Sequence, residues 1–202
     1  MREIDAWVTR RAIRLIEAHR HAGRDLRLEV NLSGRTIGDN SLPRMIESEL
    51  EGTGIDPSNL IFEITETAAI SNMDEAREFA SALTALGCRF ALDDFGAGFG
   101  SFYYLKYLPL DYLKIDGDFI GNLARSETDQ AVVRAIVDLS RSLGKKTIAE
   151  FVGNPETVNL LREYGIDYAQ GFYIGHPQPV SEMWADVTAA PNLGLRPGAP
   201  GA

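Results

Sequence analysis

The chain has 202 residues, 45% of them apolar and 24% charged, an ordinary globular composition with enough material for one sizeable core. Twenty Lys and Arg against 29 Asp and Glu leave a net charge of −9, which argues against a protein that grips a nucleic acid polymer through a broad basic face. A single phosphate-bearing ligand stays open, because a metal ion supplies positive charge locally. The lone cysteine, Cys88, excludes an intrachain disulfide and any Cys/His zinc spacing. No apolar run reaches the roughly 20 residues of a membrane span. The opening MREIDAWVTRR lacks the apolar core of a signal peptide, so the expected compartment is the cytoplasm, with no membrane insertion by this chain.

The first element is helical: Ile4, Trp7, Val8, Ala12, Leu15 and Ile16 recur at three- and four-residue steps, and Gly23 ends the run. LRLEVNLS (26–33) alternates apolar and polar residues and reads as a strand. The same beat continues. A helix at 42–52 leads to the strand LIFEIT (60–65), and a helix at 74–86, stopped by Gly87, leads to RFALDD (89–94). A Gly-rich loop and a short helix precede DYLKID (111–116). A helix at 127–143 precedes KTIAE (146–150), and Pro155 starts a helix that ends at Gly165. A last strand near 167–171 is followed by a helix after Pro179. The Pro/Gly-rich residues 191–202 read as a disordered tail, leaving 1–190 as one domain.

Six strands alternating with helices define the α/β class with a parallel sheet. Asn31, Glu63, Asp93, Lys114, Glu150 and Gln170 each fall at or near the C-terminal end of a different strand. An open doubly wound sheet collects ligands mainly at one switch point, whereas a (β/α)8 barrel collects them from nearly every strand. The expected fold is therefore a modified TIM barrel, incomplete, with about six of its eight strands present and the deficit at the N-terminus.

The adjacent carboxylates Asp93 and Asp94 end an otherwise apolar strand. They repel each other and lose hydration unless a cation lies between them, and a hard divalent cation suits oxygen donors. Glu63 interrupts a strand that reads as buried on both faces. Taken alone, Asn31 is a turn residue as readily as an amide ligand. Lys114 is either a partner for Asp116 or Asp118, or a positive group beside the metal that positions water or stabilises phosphoryl charge. Glu150 is a further strand-end carboxylate and Gln170 a neutral hydrogen-bonder. Glu66, placed in the loop after its strand, reads as a surface or loop-bracing carboxylate. Four carboxylates, one lysine and two amides at one barrel mouth suit two hard metals that activate water for attack on a phosphodiester. GAGFGS after Asp94 is a poor dinucleotide loop, since Ser101 takes the third glycine position and two acids precede it.

VNLS, FEITE, DDFGAGFGS, YLKID, AEFVG and QGFYIGHP occur in the order and spacing of the EAL domain, so residues 1 to about 185 resemble that family of cyclic-di-GMP phosphodiesterases and receptors derived from them. The resemblance implies a modified (β/α)8 barrel with Mg²⁺ or Mn²⁺ at its mouth and hydrolysis of cyclic-di-GMP to linear pGpG. It implies Asn31, Glu63 and Asp93 as metal ligands, with Asp93 bridging two ions, and Asp94 as ligand of the second ion and holder of the attacking water. Lys114 resembles the lysine that positions or activates that water, Glu150 a further carboxylate of the metal site, and Gln170 a residue that orders the site. Glu66 resembles the glutamate that braces the loop at 95–101, a loop that in the family also contributes to dimerisation, so a homodimer or other subunit is the expected partner beside cyclic-di-GMP. Two departures accompany the match. The glutamate of the EAL tripeptide and the first two barrel strands are expected upstream of residue 1, and Gly153 stands where the family's AEGVE motif carries its second glutamate. These departures keep a non-catalytic cyclic-di-GMP receptor or regulatory module as the alternative.

Overall fold

The computed structural model describes residues 1–96, 102–180 and 182. Helix α1 (Arg2–His21) buries Asp5, Thr9, Ala12, Ile13 and Ile16, a stripe at helical spacing. Glu3 and Asp5 lie in its first turn and His19, Arg20 and His21 in its last, the charge order that complements the helix dipole. The buried Asp5 carboxylate accepts from Ser33 N, Ser33 Oγ and Thr36 Oγ1, tying α1 to the turn that follows the first strand.

From there strands and helices alternate: β1 (Leu28–Asn31), α2 (Ser41–Leu50), β2 (Leu60–Thr65), α3 (Glu66–Ser71), α4 (Met73–Ala85), β3 (Arg89–Phe95), β4 (Tyr112–Ile115), α5 (Gly117–Gly121), α6 (Glu127–Ser142), β5 (Lys146–Ala149), α7 (Pro155–Tyr164) and β6 (Tyr168–Ala169). Short 3-10 turns lie at Pro57–Asn59 and Phe102–Lys106. Side-chain caps mark several helix starts. Ser126 accepts from Asp129 N, Asn154 accepts from Thr157 N beside Pro155, and Gly165 closes α7 in the left-handed region at φ 79°.

All five strand pairings are parallel and the order is β1-β2-β3-β4-β5-β6, a curled half-barrel whose edge strands are β1 and β6. The two-residue strand period separates two cores. Phe62, Ile64, Phe90, Leu92, Leu113 and Ile115 join the helices in one large apolar cluster. Ile61, Ala91, Tyr112 and Ile148 alternate with them and form a second, smaller cluster on the inner face, with Tyr168 packed against it. Every inner-face column then ends, at the C-terminal edge of the sheet, in a polar residue.

The expected class, strand count and parallel sheet match this architecture, and differences are local. Glu66 is not in a loop: it opens α3, whose N-terminus Thr65 caps by accepting from Ala68 N. The helix has six residues, too few to show an apolar period, and Asn72 both ends it and caps α4. Helix α5 was also absent from the sequence reading; glycines at both of its ends disguise a turn that Asp116 caps through Asp118 N. Gly171, at φ 155°, follows β6 where a Cβ would come within 2.2 Å of Val152 N, so the two backbones meet only because no side chain intervenes. The expected helix after Pro179, the tail at 191–202 and residues 97–101 of the glycine-rich loop lie outside the described residues, apart from Pro179, Val180 and Glu182.

Candidate metal centre

Consecutive residues on a strand point to opposite faces, so Asp93 and Asp94 would ordinarily diverge. Here the β3–β4 register breaks between Leu92 and Phe95, and Asp94 adopts φ 54° in the left-handed region. Asp is among the few residue types that enter that region, and the twist brings its carboxylate back to the inner face beside Asp93. Oxygens of Asp93, Asp94 and Glu150 all lie within 4.8 Å of one another.

Lys114, at the centre of β4, is 3% exposed. Its Nζ lies 2.7 Å from Glu63 Oε2, 2.9 Å from Glu150 Oε1, 3.2 Å from Asp93 Oδ1 and 4.0 Å from Glu29 Oε2. Burial alone would lower the ammonium's pKa; the Glu63, Glu150 and Asp93 carboxylates outweigh it and hold the group above the ordinary lysine value. Asp116 caps α5, and Lys114 pairs with the strand-end carboxylates and not with Asp116 or Asp118.

Four carboxylates thus surround one ammonium, and a fifth, Asp94, lies beside Asp93 and Glu150. Burial raises the pKa of Glu29, Glu63 and Glu150 despite Lys114, with Asp93 adding to the rise in each. Burial also raises that of Asp94, followed by the charge on Asp93. Glu63 Oε2 and Asp93 Oδ1 contact Lys114 as ion pairs yet make no hydrogen bond of good angle, so two buried anionic oxygens keep unused lone pairs. Buried charge of one sign with spare lone pairs is costly without a counter-ion, and an all-oxygen donor set fits a hard divalent cation. The acidic cluster fits a metal on those two observations.

The remaining expected residues take distinct places. Asn31 ends β1 directly opposite Glu63 in register and is exposed at the mouth. Glu66 lies beneath the end of β3, 3% exposed, and accepts from Gly96 N at 3.0 Å and from the Tyr104 hydroxyl. The Tyr104 phenol is pushed up by burial and by that bond to Glu66. Gln170 is exposed; its backbone N donates to Ala149 O and its O accepts from Val152 N. It lines, with Glu150, Phe151 and Phe172, a pocket of about 300 Å³ beside the carboxylates. Phe151 and Phe172 are 71% and 69% exposed to solvent, and Phe151 holds φ 53°, an uncommon conformation for an aromatic residue. Glu29, Tyr104 and Phe151 were not singled out from the sequence. For Glu29 the signal was available: in LRLEVNLS it shares the face of Asn31, two residues on.

Fold and site together define a barrel-type α/β domain with an acidic oxygen-donor cluster at the C-terminal end of its strands. Residues 1–177 match the family model described as the EAL domain, and the chain belongs to that family. The PaMucR phosphodiesterase, solved as a c-di-GMP complex, superposes with a TM-score of 0.84 at 36% identity, over 90% of this chain and 74% of that one. The EAL domain of Mycobacterium smegmatis DcpA superposes with a TM-score of 0.83 at 29% identity, over 91% of this chain and 83% of that one. Cyclic di-GMP phosphodiesterase PdeB of Shewanella oneidensis is 43% identical over 181 residues, which cover 90% of this chain and 21% of PdeB. Cyclic di-GMP phosphodiesterase PdeF of Escherichia coli is 36% identical over 184 residues, 91% of this chain and 25% of PdeF. The chain therefore spans a fifth to a quarter of these curated relatives. Among the described residues, no helix is long and apolar enough to cross a membrane.

Proposed function

We propose that this domain hydrolyses cyclic-di-GMP to linear pGpG, using two Mg²⁺ or Mn²⁺ ions. The observation that carries the reading is the convergence of Asp93, Asp94 and Glu150, joined through Lys114 to Glu63, in a family whose similar members are cyclic-di-GMP phosphodiesterases. Glu63, Asp93, Asp94 and Glu150, with the Asn31 amide at the rim, are the residues that would hold the cations. When bound, those ions would supply a water acidified enough to attack phosphorus and charge to offset that on the phosphodiester.

The chain's own side chains do the rest. Asp94, more open to solvent than Asp93, would accept a hydrogen bond from the attacking water and so hold and orient it. Lys114 keeps its proton and donates a hydrogen bond towards the water or the phosphoryl oxygens, fixing their direction. Glu66 holds the first residue of the loop after the Asp pair through Gly96 N. Gln170 and the Phe151 and Phe172 rings offer a flat apolar wall and a hydrogen-bonder against which a purine base can lie. Homodimerisation through the loop at 95–101 belongs to the same reading, and sedimentation with and without Mn²⁺ checks it.

The test is incubation of the chain with cyclic-di-GMP and Mn²⁺, with pGpG followed by chromatography. Metal-dependent pGpG formation that Asp93→Ala abolishes is the expected result. Saturable binding of cyclic-di-GMP without turnover at saturating Mn²⁺ would make the domain a receptor instead.

A further inference from the structure

Lys114 is shared by more carboxylates than an ammonium with three N–H donors can serve. Glu63, Asp93 and Glu150 are in the set proposed to hold cations. Glu29 stands apart from them. It lies opposite Ile61, whereas Asn31 lies opposite Glu63, so it is one layer deeper inside the half-barrel. It is outside the convergence of Asp93, Asp94 and Glu150. Among the described residues Lys114 is its only ion-pair partner, although Arg27 lines the same 350 Å³ cavity.

This division of partners has a consequence. A divalent cation drawn to Glu63, Asp93 and Glu150 takes from Lys114 its three nearest counter-charges and adds a like charge beside it. A buried ammonium in that position needs another anion or it competes with the metal for the same oxygens. Resting on the proposed cation site, we infer that Glu29 is a positioning residue for Lys114: it holds the ammonium from below, on the 4.0 Å Glu29–Lys114 pairing, while the other three carboxylates turn to the metal. Glu29 touches neither metal nor substrate. Its effect runs through the lysine, which stays aimed at the mouth and does not occupy the cation's place.

A double-mutant cycle read by calorimetric titration with Mn²⁺ tests this on the whole 202-residue chain. The variants are Glu29→Gln, Lys114→Met and the pair together, with circular dichroism melts to establish folding. Glu29→Gln is expected to weaken Mn²⁺ binding about tenfold when Lys114 is present and less than about twofold when Lys114 is Met, with Glu29→Asp recovering most of the loss. An equal loss in both backgrounds would show that Glu29 acts on the metal directly, and no loss in either would show that it does nothing; both overturn the inference while leaving the cation site standing. Failure of the unaltered chain to bind Mn²⁺ brings down the cation site and this inference together. A kinetic split serves if Lys114→Met does not fold: at saturating Mn²⁺, Glu29→Gln should lower kcat with KM unchanged and Glu29→Asp should restore it, and an unchanged kcat refutes the role.

Discussion

The two ends of the sheet's inner face are built by the same alternation from the same strands, yet they treat charge differently. At the N-terminal end Arg89 pairs with Asp111 at 2.6 Å, and Asp111 also accepts from Phe90 N. Lys146 donates to the Tyr168 hydroxyl and lies over its ring, while Asp167 accepts from Thr147 N and Oγ1. There each acid has a cation or a backbone donor, largely in reach of water. At the C-terminal end four carboxylates share the Lys114 ammonium, three of them with side chains no more than 10% exposed, and Asp94 adds a fifth beside them. Balanced, locally satisfied charge is what a fold needs to close a barrel floor. Unbalanced, buried charge of one sign persists only where a ligand compensates it, which is why the mouth and not the floor is read as the functional end.

The contrast can be broken most severely at its centre. Lys114→Met removes the sole counter-charge and should destabilise the metal-free chain by about 3–5 kcal/mol, seen in a chemical denaturation curve; a variant as stable as the parent would show the cluster is not charge-limited. Asp93→Asn should cut metal-dependent turnover about 100-fold or more while raising the melting temperature of the metal-free chain, because it removes one of five repelling carboxylates. Loss of both activity and stability would contradict the excess-charge argument. Glu66→Ala leaves Gly96 N and the buried Tyr104 hydroxyl without their acceptor and should cost about 1–3 kcal/mol in the same assay.

A pH series sharpens the comparison. The raised pKa values of Glu63, Glu150 and Asp94 mean that the folded, metal-free site binds protons more tightly than the unfolded chain. Their stabilising contribution is complete below the ordinary values of 4.5 and 3.8 and is lost as pH rises through the raised ones. Metal competes with those protons, so the gap in melting temperature between Mn²⁺-loaded and metal-free chain should widen from about pH 5 to about pH 8. A gap that narrows would be inconsistent with the carboxylates as ligands. The smallest effect belongs to the floor: Arg89→Gln breaks a half-exposed pair and should change stability by less than about 1 kcal/mol with turnover unaltered.

Much of this was legible in the residue order. Strand β2 falls on LIFEIT as expected because a short β-branched and aromatic run, broken only by Glu63 and closed by Thr65, admits little else, and α7 is bracketed by Pro155 and Gly165. The strand-end polar residues were visible because each interrupts an apolar run that a two-sided core requires. What escaped were α3 and α5, too short to show a period, and Glu29, whose face was implied by alternation but whose partner lies three strands away on β4.

Composition, periodicity and motif spacing by themselves determined the α/β class, the six-strand parallel order and the list of strand-end groups, because backbone alternation and helix capping are local and are written in neighbouring residues. Only the tertiary structure decided which of those groups meet. The curl of the sheet brings β1, β2, β3 and β5 within reach of one lysine on β4, and the left-handed turn at Asp94 adds a carboxylate that strand geometry would have sent outward. Charge convergence is a property of distances between strands, and those are set by packing and not by order along the chain.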